Sequence, residues 1–133
     1  MDKIHLEGVK LYAYHGCMEE ESRIGSDYEV ELVIWADLKK SAQTDHLKDT
    51  VDYVLLNRVV AEEMAVRAKL LEVVAQRIID RIFKDEPRVK KAQVKVTKMA
   101  PPINGDVERV SVILKEKRKK IVAINKKLDF GSH

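Results

Sequence analysis

The clearest pattern in the chain is an alternation of apolar and polar side chains over residues 27–38. The apolar positions are Tyr28, Val30, Leu32, Ile34, Ala36 and Leu38. Successive side chains of a β-strand point to opposite faces, so this period of two predicts a strand with one buried face. Such a strand needs partner strands beside it and a covering layer over its apolar side.

Three further segments have strand character. Residues 3–14 alternate too, but their apolar parity shifts near Gly8, which predicts a β-bulge at that glycine. Residues 94–96 and 110–114 alternate in the same way and are separated by the turn-forming residues 101–105. The chain therefore contains two strands near its start and two more in its last third.

Two helices are predicted between these pairs of strands. Apolar residues recur at helical spacing from about Tyr53 to Ala68, with Asp52 as a candidate N-cap. A second apolar stripe begins at Leu71 and ends before Pro87. The order ββααββ indicates an α+β fold, with an antiparallel four-stranded sheet and two helices on one face. The two sheet edges would need protection, and assembly of subunits into a closed ring is one way to provide it.

Length and composition favour a single domain without a metal or disulfide. A chain of 133 residues that is 45% hydrophobic can bury one ordinary core. It contains no apolar run long enough for a membrane helix, and its start lacks the features of a signal peptide. Cys17 is the only cysteine and no cluster has zinc-ligand spacing. We therefore expect a cytoplasmic protein with no cofactor and no membrane partner.

The positive charge is concentrated at the C-terminus. Residues 115–133 contain seven Lys or Arg and only two acidic residues, which leaves the remainder of the chain slightly acidic. A basic run could contact nucleic acid, but this one has no interleaved aromatic residues for base stacking. We interpret residues 119–133 as a basic, poorly ordered tail on a domain of residues 1–118, and we expect no nucleic-acid partner.

Lys98 is the most informative single residue. Continuing the alternation of Val94 and Val96 places it on the apolar side at the end of a strand, where removal from water would make it a candidate acid or base. From spacing alone, a lysine that simply projects into water at a strand end is the commoner arrangement. The rigid turn at Pro101 and Pro102 follows directly, as the wall of a pocket would require.

The other candidate residues are individually ambiguous. Glu72 opens the second helix, where a buried carboxylate could accept two hydrogen bonds from an amidine-like ligand edge, although helix-start glutamates are common. Tyr53 could pack or donate its hydroxyl proton. His15 is more consistent with a hydrogen-bonded structural histidine than with an acid or base. The acidic run 19–21 is typical of a solvated turn, and Cys17 of a small apolar filler.

Four segments together resemble the dihydroneopterin aldolases. They are Tyr14-His15-Gly16 with Glu21 and Ile24-Gly25, then residues 49–53, residues 70–78 and residues 96–105. They follow the family's order and spacing over residues 3–116. The resemblance implies the tunnelling fold, in which subunit sheets close into one barrel as a tetramer or stacked octamer, with pterin sites between neighbouring subunits.

The resemblance also assigns roles by position. Glu72 would bind the amino-pyrimidinone edge of a pterin, helped by backbone groups near Leu71 and Val51. Tyr53 would lie at the pterin ring and donate a proton. Lys98 would be the central acid or base, acting through an ordered water. Glu21 would contact the ligand from the loop after the first strand and belong to the catalytic set; among the three glutamates it keeps the family distance from His15-Gly16.

The implied reaction splits 7,8-dihydroneopterin into 6-hydroxymethyl-7,8-dihydropterin and glycolaldehyde in folate biosynthesis. A carbon–nitrogen double bond of the dihydropterin accepts the electrons, so neither a Schiff base nor a metal is needed. Epimerase activity would accompany cleavage if the cleavage step is reversed at the other face of the intermediate. The alternatives are a dihydroneopterin-triphosphate epimerase, which needs further cationic groups, and a catalytically silent pterin-binding or assembly protein.

Overall fold

A computed structural model describes residues 1–119 and contains one four-stranded antiparallel sheet. The strands lie in sequence order, each paired with the next along the chain. Their bounds are β1 (Asp2–Ala13), β2 (Ser26–Ala36), β3 (Lys91–Met99) and β4 (Arg109–Lys117). The α+β class with an antiparallel four-stranded sheet is confirmed. β1 and β4 are the two edges of this sheet.

Four α-helices and one 3-10 turn connect the strands. They are α1 (Glu19–Ile24), α2 (Lys39–Thr44), the 3-10 turn Leu47–Asp49, α3 (Tyr53–Met64) and α4 (Leu71–Asp85). The predicted order ββααββ lacked α1, α2 and the turn, because six residues are too few to display a helical period. None of the helices in residues 1–119 is long and apolar enough to cross a membrane.

Two local predictions are confirmed, and one boundary is corrected. The β1–β2 register skips between Leu6 and Val9, so the bulge lies at the predicted Gly8, whose φ is 64°. Asp52 caps α3, because its carboxylate accepts a hydrogen bond from the Val54 N–H at 2.9 Å. However, α3 ends at Met64 rather than near Ala68. Arg67 and Ala68 instead bond to the loop after β1.

The core lies between the sheet and the two long helices. The apolar positions of β2 are almost completely buried, as its alternation predicts, and they pack with residues of α3, α4 and β3. Each such aliphatic side chain contributes roughly 1.5–3 kcal/mol by leaving water. The opposite face of the sheet carries mainly polar and charged side chains, and no described helix covers it.

The predicted tail lies almost entirely outside the described residues. Arg118 is fixed to the domain, since its guanidinium donates to the carbonyls of Phe83, Glu86 and Val89 at 2.8–3.0 Å. Lys119 follows and is exposed. Residues 120–133 are not described.

Candidate active site

Lys98 is buried at the end of β3. Its side chain is 6% exposed and lies on the helix-covered face of the sheet, together with Val94 and Val96. Its Nζ donates a hydrogen bond to the His15 carbonyl oxygen at 2.9 Å and a second one to the Glu21 carboxylate. Strand parity thus predicted the correct face, and the alternative of a lysine projecting into water is wrong.

Glu21 turns inward from α1 to meet this lysine. Its other carboxylate oxygen accepts the Met18 N–H at 3.0 Å in a capping box. Burial raises the pKa of Glu21, but the hydrogen bonds from Lys98 and Met18 outweigh that effect and leave the pKa below its ordinary value. The acidic run is therefore not simply a solvated turn, because its third glutamate forms a largely buried ion pair.

Gly16 makes room for that carboxylate. Its φ is 138°, and a Cβ built at this position would lie 2.2 Å from Glu21 Oε1. An L side chain would be both strained at this φ and in collision with Glu21. The glycine of the Tyr14-His15-Gly16 motif is explained by this close approach.

His15 stabilises the site through both its backbone carbonyl and its ring. Its carbonyl accepts both Lys98 Nζ and the Tyr28 hydroxyl, the latter at 2.8 Å. Its Nδ1 accepts the Ala68 N–H at 3.0 Å, and the ring is completely buried. Burial, with Arg77 as the next cause, lowers the pKa of His15 to about 4. His15 is therefore neutral near pH 7 and has a structural role, as its sequence context indicated.

Arg67 ties the loop that carries His15 to the segment before α4. Its guanidinium donates to the Tyr14 carbonyl at 3.1 Å and to the Gly16 carbonyl at 2.6 Å. The Gly16 N–H in turn donates to the Ala68 carbonyl at 3.0 Å. This clamp brings the start of α4 to the same end of the sheet as Lys98.

Leu71 and Glu72 lie at this start of α4. Leu71 is partly buried, whereas Glu72 is exposed. A single chain therefore does not bury the Glu72 carboxylate, contrary to the arrangement considered from the sequence. An exposed glutamate in the first helical turn keeps its carboxylate available to a ligand and is favoured by the helix dipole. Cys17 also differs from expectation, since it is exposed and its thiol donates to the Lys69 carbonyl at 3.6 Å.

Val51 and Tyr53 lie at the opposite end of the sheet. Val51 is 1% exposed and Tyr53 is 64% exposed at the start of α3. With Ile4 they line a cleft of about 340 Å³. Ile4 lies opposite Ile34 of β2, while Lys98 lies opposite Tyr28, six residues along the same strand. Six strand residues span about 20 Å, so one chain does not bring Tyr53 to Lys98.

Sequence reasoning missed three residues that build the site. The alternation marks Tyr28 only as an apolar position, whereas its hydroxyl, near the start of β2, donates to the His15 carbonyl. Arg67 fell inside the helix predicted to extend to Ala68. Gly16 stands out in the sequence only as part of a motif. A glycine next to a histidine in a strand-to-helix loop was the available signal for a close approach.

The arrangement can bind and move protons at one end of the sheet. It combines a buried ammonium group, a carboxylate held in its ionised form and, a few residues beyond the Arg67 clamp, an exposed carboxylate at a helix start. An ammonium group can donate a proton to a developing carbanion or, through a water molecule, exchange one with a hydroxyl group.

Comparisons with known proteins agree on one family. A family model described as FolB: Dihydroneopterin aldolase matches residues 4–115. The dihydroneopterin aldolase of Bacillus subtilis (strain 168) is 35% identical over 119 residues, covering 89% of this chain and 99% of that protein. That of Streptococcus pyogenes serotype M1 is 34% identical over 122 residues, covering 89% and 100%.

Solved structures of such proteins share the fold. A structure described as a putative dihydroneopterin aldolase (FolB) from Vibrio cholerae has a TM-score of 0.80 at 24% identity, covering 89% of this chain and 98% of that one. The E. coli dihydroneopterin aldolase in complex with neopterin also has a TM-score of 0.80, at 20% identity, covering 87% and 99%.

Proposed function

The chain belongs to the dihydroneopterin aldolase family, whose members are lyases, and from this premise we propose that it cleaves 7,8-dihydroneopterin in folate biosynthesis. The products are 6-hydroxymethyl-7,8-dihydropterin and glycolaldehyde. One observation carries the proposal: the lysine of the 96–105 motif is buried and paired with the glutamate of the His15-Gly16 motif. Two motifs 77 residues apart thus meet at one group that can transfer protons.

The reaction starts when an ordered water molecule held by Lys98 accepts the proton of the side-chain hydroxyl next to the bond that breaks. That bond's electrons move into the ring's carbon–nitrogen double bond, which leaves an enamine-like pterin and free glycolaldehyde. Lys98 then supplies the proton that converts the enamine into the product, through an ordered water. Return of glycolaldehyde to the other face of the same intermediate would give the epimer.

Each supporting group has a defined task in this proposal. The ionised Glu21 and the His15 carbonyl hold the Lys98 ammonium in place, and Glu21 also contacts the ligand. Glu72 binds the amino-pyrimidinone edge through two parallel hydrogen bonds, with backbone groups near Leu71 and Val51. Tyr53 lies at the pterin ring, where its hydroxyl is a second candidate donor of the one proton that the intermediate takes up.

The site requires two chains. Tyr53 and Val51 lie about 20 Å along the sheet from Lys98 in one chain, so a pterin that touches both must lie between subunits. Within residues 1–119, β1 and β4 each leave one edge of the sheet unpaired, and these strands of 12 and 9 residues support assembly by strand pairing. We propose that subunits close into a barrel as a tetramer or octamer that functions in the cytoplasm.

The function is tested by supplying the purified chain with 7,8-dihydroneopterin and, separately, with its triphosphate. Equimolar glycolaldehyde and 6-hydroxymethyl-7,8-dihydropterin from the first compound are expected. Epimerisation of the triphosphate without cleavage of the free compound would instead identify a triphosphate epimerase. A folded oligomer that binds pterin and converts neither compound would identify a silent binding protein.

Replacing Glu72 by glutamine should weaken pterin binding by roughly 1–3 kcal/mol, because the amide substitutes one acceptor and a mismatched donor for a charged double acceptor. Folding should be unaffected, since Glu72 is exposed. Fluorescence titration with a non-reactive pterin measures the loss, and Asp80→Asn on the same helix is a matched control. Unchanged affinity in the Glu72→Gln variant would remove this residue from the site.

Deleting residues 119–133 should leave the oligomer and turnover nearly unchanged. The cut follows Arg118, whose contacts with Phe83, Glu86 and Val89 remain. The removed segment lies outside the residues matched by the family model. Gel filtration and the cleavage assay check this expectation. Dissociation of the oligomer would show instead that Ile121, Val122 and Ile124 contact a neighbouring subunit.

A further inference from the structure

A row of cations crosses the uncovered face of the sheet at the end remote from Lys98. The strand register places Lys3 opposite Trp35, Trp35 opposite Lys91, and Lys91 opposite Lys117. Successive residues of a strand point to opposite faces, and the neighbours Ile34, Ala36 and Ala92 face the core. All four side chains of the row therefore point away from the helices. The row spans all four strands, a width of about 14 Å.

The row lacks the charge compensation that the same face shows elsewhere. Lys10 lies opposite Glu29, and Lys95 lies opposite Glu31. In the row, by contrast, Lys91 and Lys117 oppose each other directly, which destabilises a sheet. Burial and the neighbouring ammonium groups of Lys115, Lys117 and Lys3 lower the pKa of Lys91. This strand end therefore holds concentrated positive charge.

The carboxylates that precede Lys3 and Lys117 in the sequence are engaged in other contacts. Asp2 binds Lys39 at 2.8 Å and accepts the Leu38 N–H at 3.0 Å. Glu116 accepts the Gln76 side-chain amide at 2.9 Å on the helix-covered face. Among the described residues, neither carboxylate pairs with a lysine of the row.

The indole of Trp35 organises these cations. The ammonium groups of Lys91, Lys115 and Lys3 lie 4.6, 5.5 and 5.6 Å from its ring centroid. Such cation–π contacts orient lysines that would otherwise separate. A cleft of about 380 Å³ lies beside them, lined by Met1, Trp35, Lys90, Lys91 and Lys117.

We propose that this row of Lys3, Trp35, Lys91 and Lys117, together with Lys115 beside the same indole, is a binding site for a linear oligophosphate such as the polyphosphate chain of a nucleoside triphosphate. A single phosphate can contact only the ammonium groups that converge on the indole. A chain of phosphates can also extend towards Lys117 on β4, because the row crosses strands whose backbones span about 14 Å. The indole face is occupied by ammonium groups, so the phosphate chain, not a base, is recognised. The site is independent of the aldolase assignment and about 20 Å from Lys98.

Trp35 is the only tryptophan of the chain, so its fluorescence reports on this site alone. The protein is titrated with inorganic tripolyphosphate, ATP and orthophosphate at constant ionic strength, with sodium chloride as the blank. Tripolyphosphate and ATP should give saturable changes at similar concentrations, and orthophosphate should bind at least about tenfold more weakly.

Lys91→Gln should weaken tripolyphosphate binding about tenfold, because a charge-assisted contact is lost. The matched control is Lys95→Gln, on the same strand and face but opposite Glu31. Tripolyphosphate should also raise the thermal midpoint of the wild type more than that of Lys91→Gln. The proposal is overturned by a response equal to that of sodium chloride, by binding of ATP without tripolyphosphate, or by equal losses in the two variants.

Discussion

Replacing Lys98 by alanine should reduce cleavage and epimerisation by roughly 10²–10⁴, with a much smaller effect on pterin affinity. Lys98 is buried, and its ammonium group is held by the His15 carbonyl and the Glu21 carboxylate. A proton donor fixed in this way acts mainly in the transition state. Turnover at saturating substrate and affinity for a non-reactive pterin, measured on the same variant, separate these effects.

Lys95→Ala is the matched control for this experiment. Lys95 lies on the same strand but on the opposite face, across from Glu31, so its loss should leave turnover unchanged. Circular dichroism and gel filtration must show that Lys98→Ala remains folded, because it leaves Glu21 without its cation. Near-normal turnover of Lys98→Ala at saturation would contradict its role as catalytic acid or base. Lost affinity with normal turnover would assign it to binding alone.

Lowering the pH from 8 to 5 should cost the protein about 2 kcal/mol of unfolding free energy through His15. The pKa of this buried histidine is about 4 in the folded chain, against 6.5 ordinarily. Well above pH 6.5 the imidazole is neutral in both the folded and the unfolded chain. Between 6.5 and 4 the unfolded chain binds a proton that the folded chain excludes, so stability falls with pH.

Above about pH 5, the effect of His15 on the free energy of unfolding is separate from that of Glu21. The pKa of Glu21 is also lowered, but its contribution is lost only as the pH falls below the ordinary value of 4.5. Denaturant unfolding at fixed protein concentration should therefore show the slope in the wild type and in His46→Gln, an exposed-histidine control, but not in His15→Gln. If His15→Gln does not fold, NMR titration of the wild-type ring decides. A ring that titrates near pH 6.5 would contradict the account.

The sequence predicted the features that depend on the local alternation of side chains. It did not predict contacts between residues that are far apart in the chain. The alternation in β2 identified the buried positions because strand geometry alone places every second residue on one face. The same parity placed Lys98 on the core face. Whether it would be buried depended on Glu21 and His15, which lie 77 and 83 residues away and supply its hydrogen-bond acceptors.

The relation between Tyr53 and Lys98 was not predictable from either motif. α3 starts near Ile4 and runs towards the loop that contains His15, so its first residue lies at the far end of the sheet. Helix direction over a sheet is set by tertiary packing and not by the residues at the helix start. The short helix α1 was missed for a related reason, since a run of three glutamates is equally typical of a solvated turn.

The central claim is that one aldolase site combines Lys98 of one chain with Tyr53 of another. It is tested most directly by mixing Lys98→Ala and Tyr53→Ala chains after dissociation and reassembly. Each variant alone should be nearly inactive. Random reassembly should restore about a quarter of the wild-type turnover, because about one interface in four then carries both native residues. Mixed oligomers that stay inactive, or full activity of Tyr53→Ala alone, would contradict the claim.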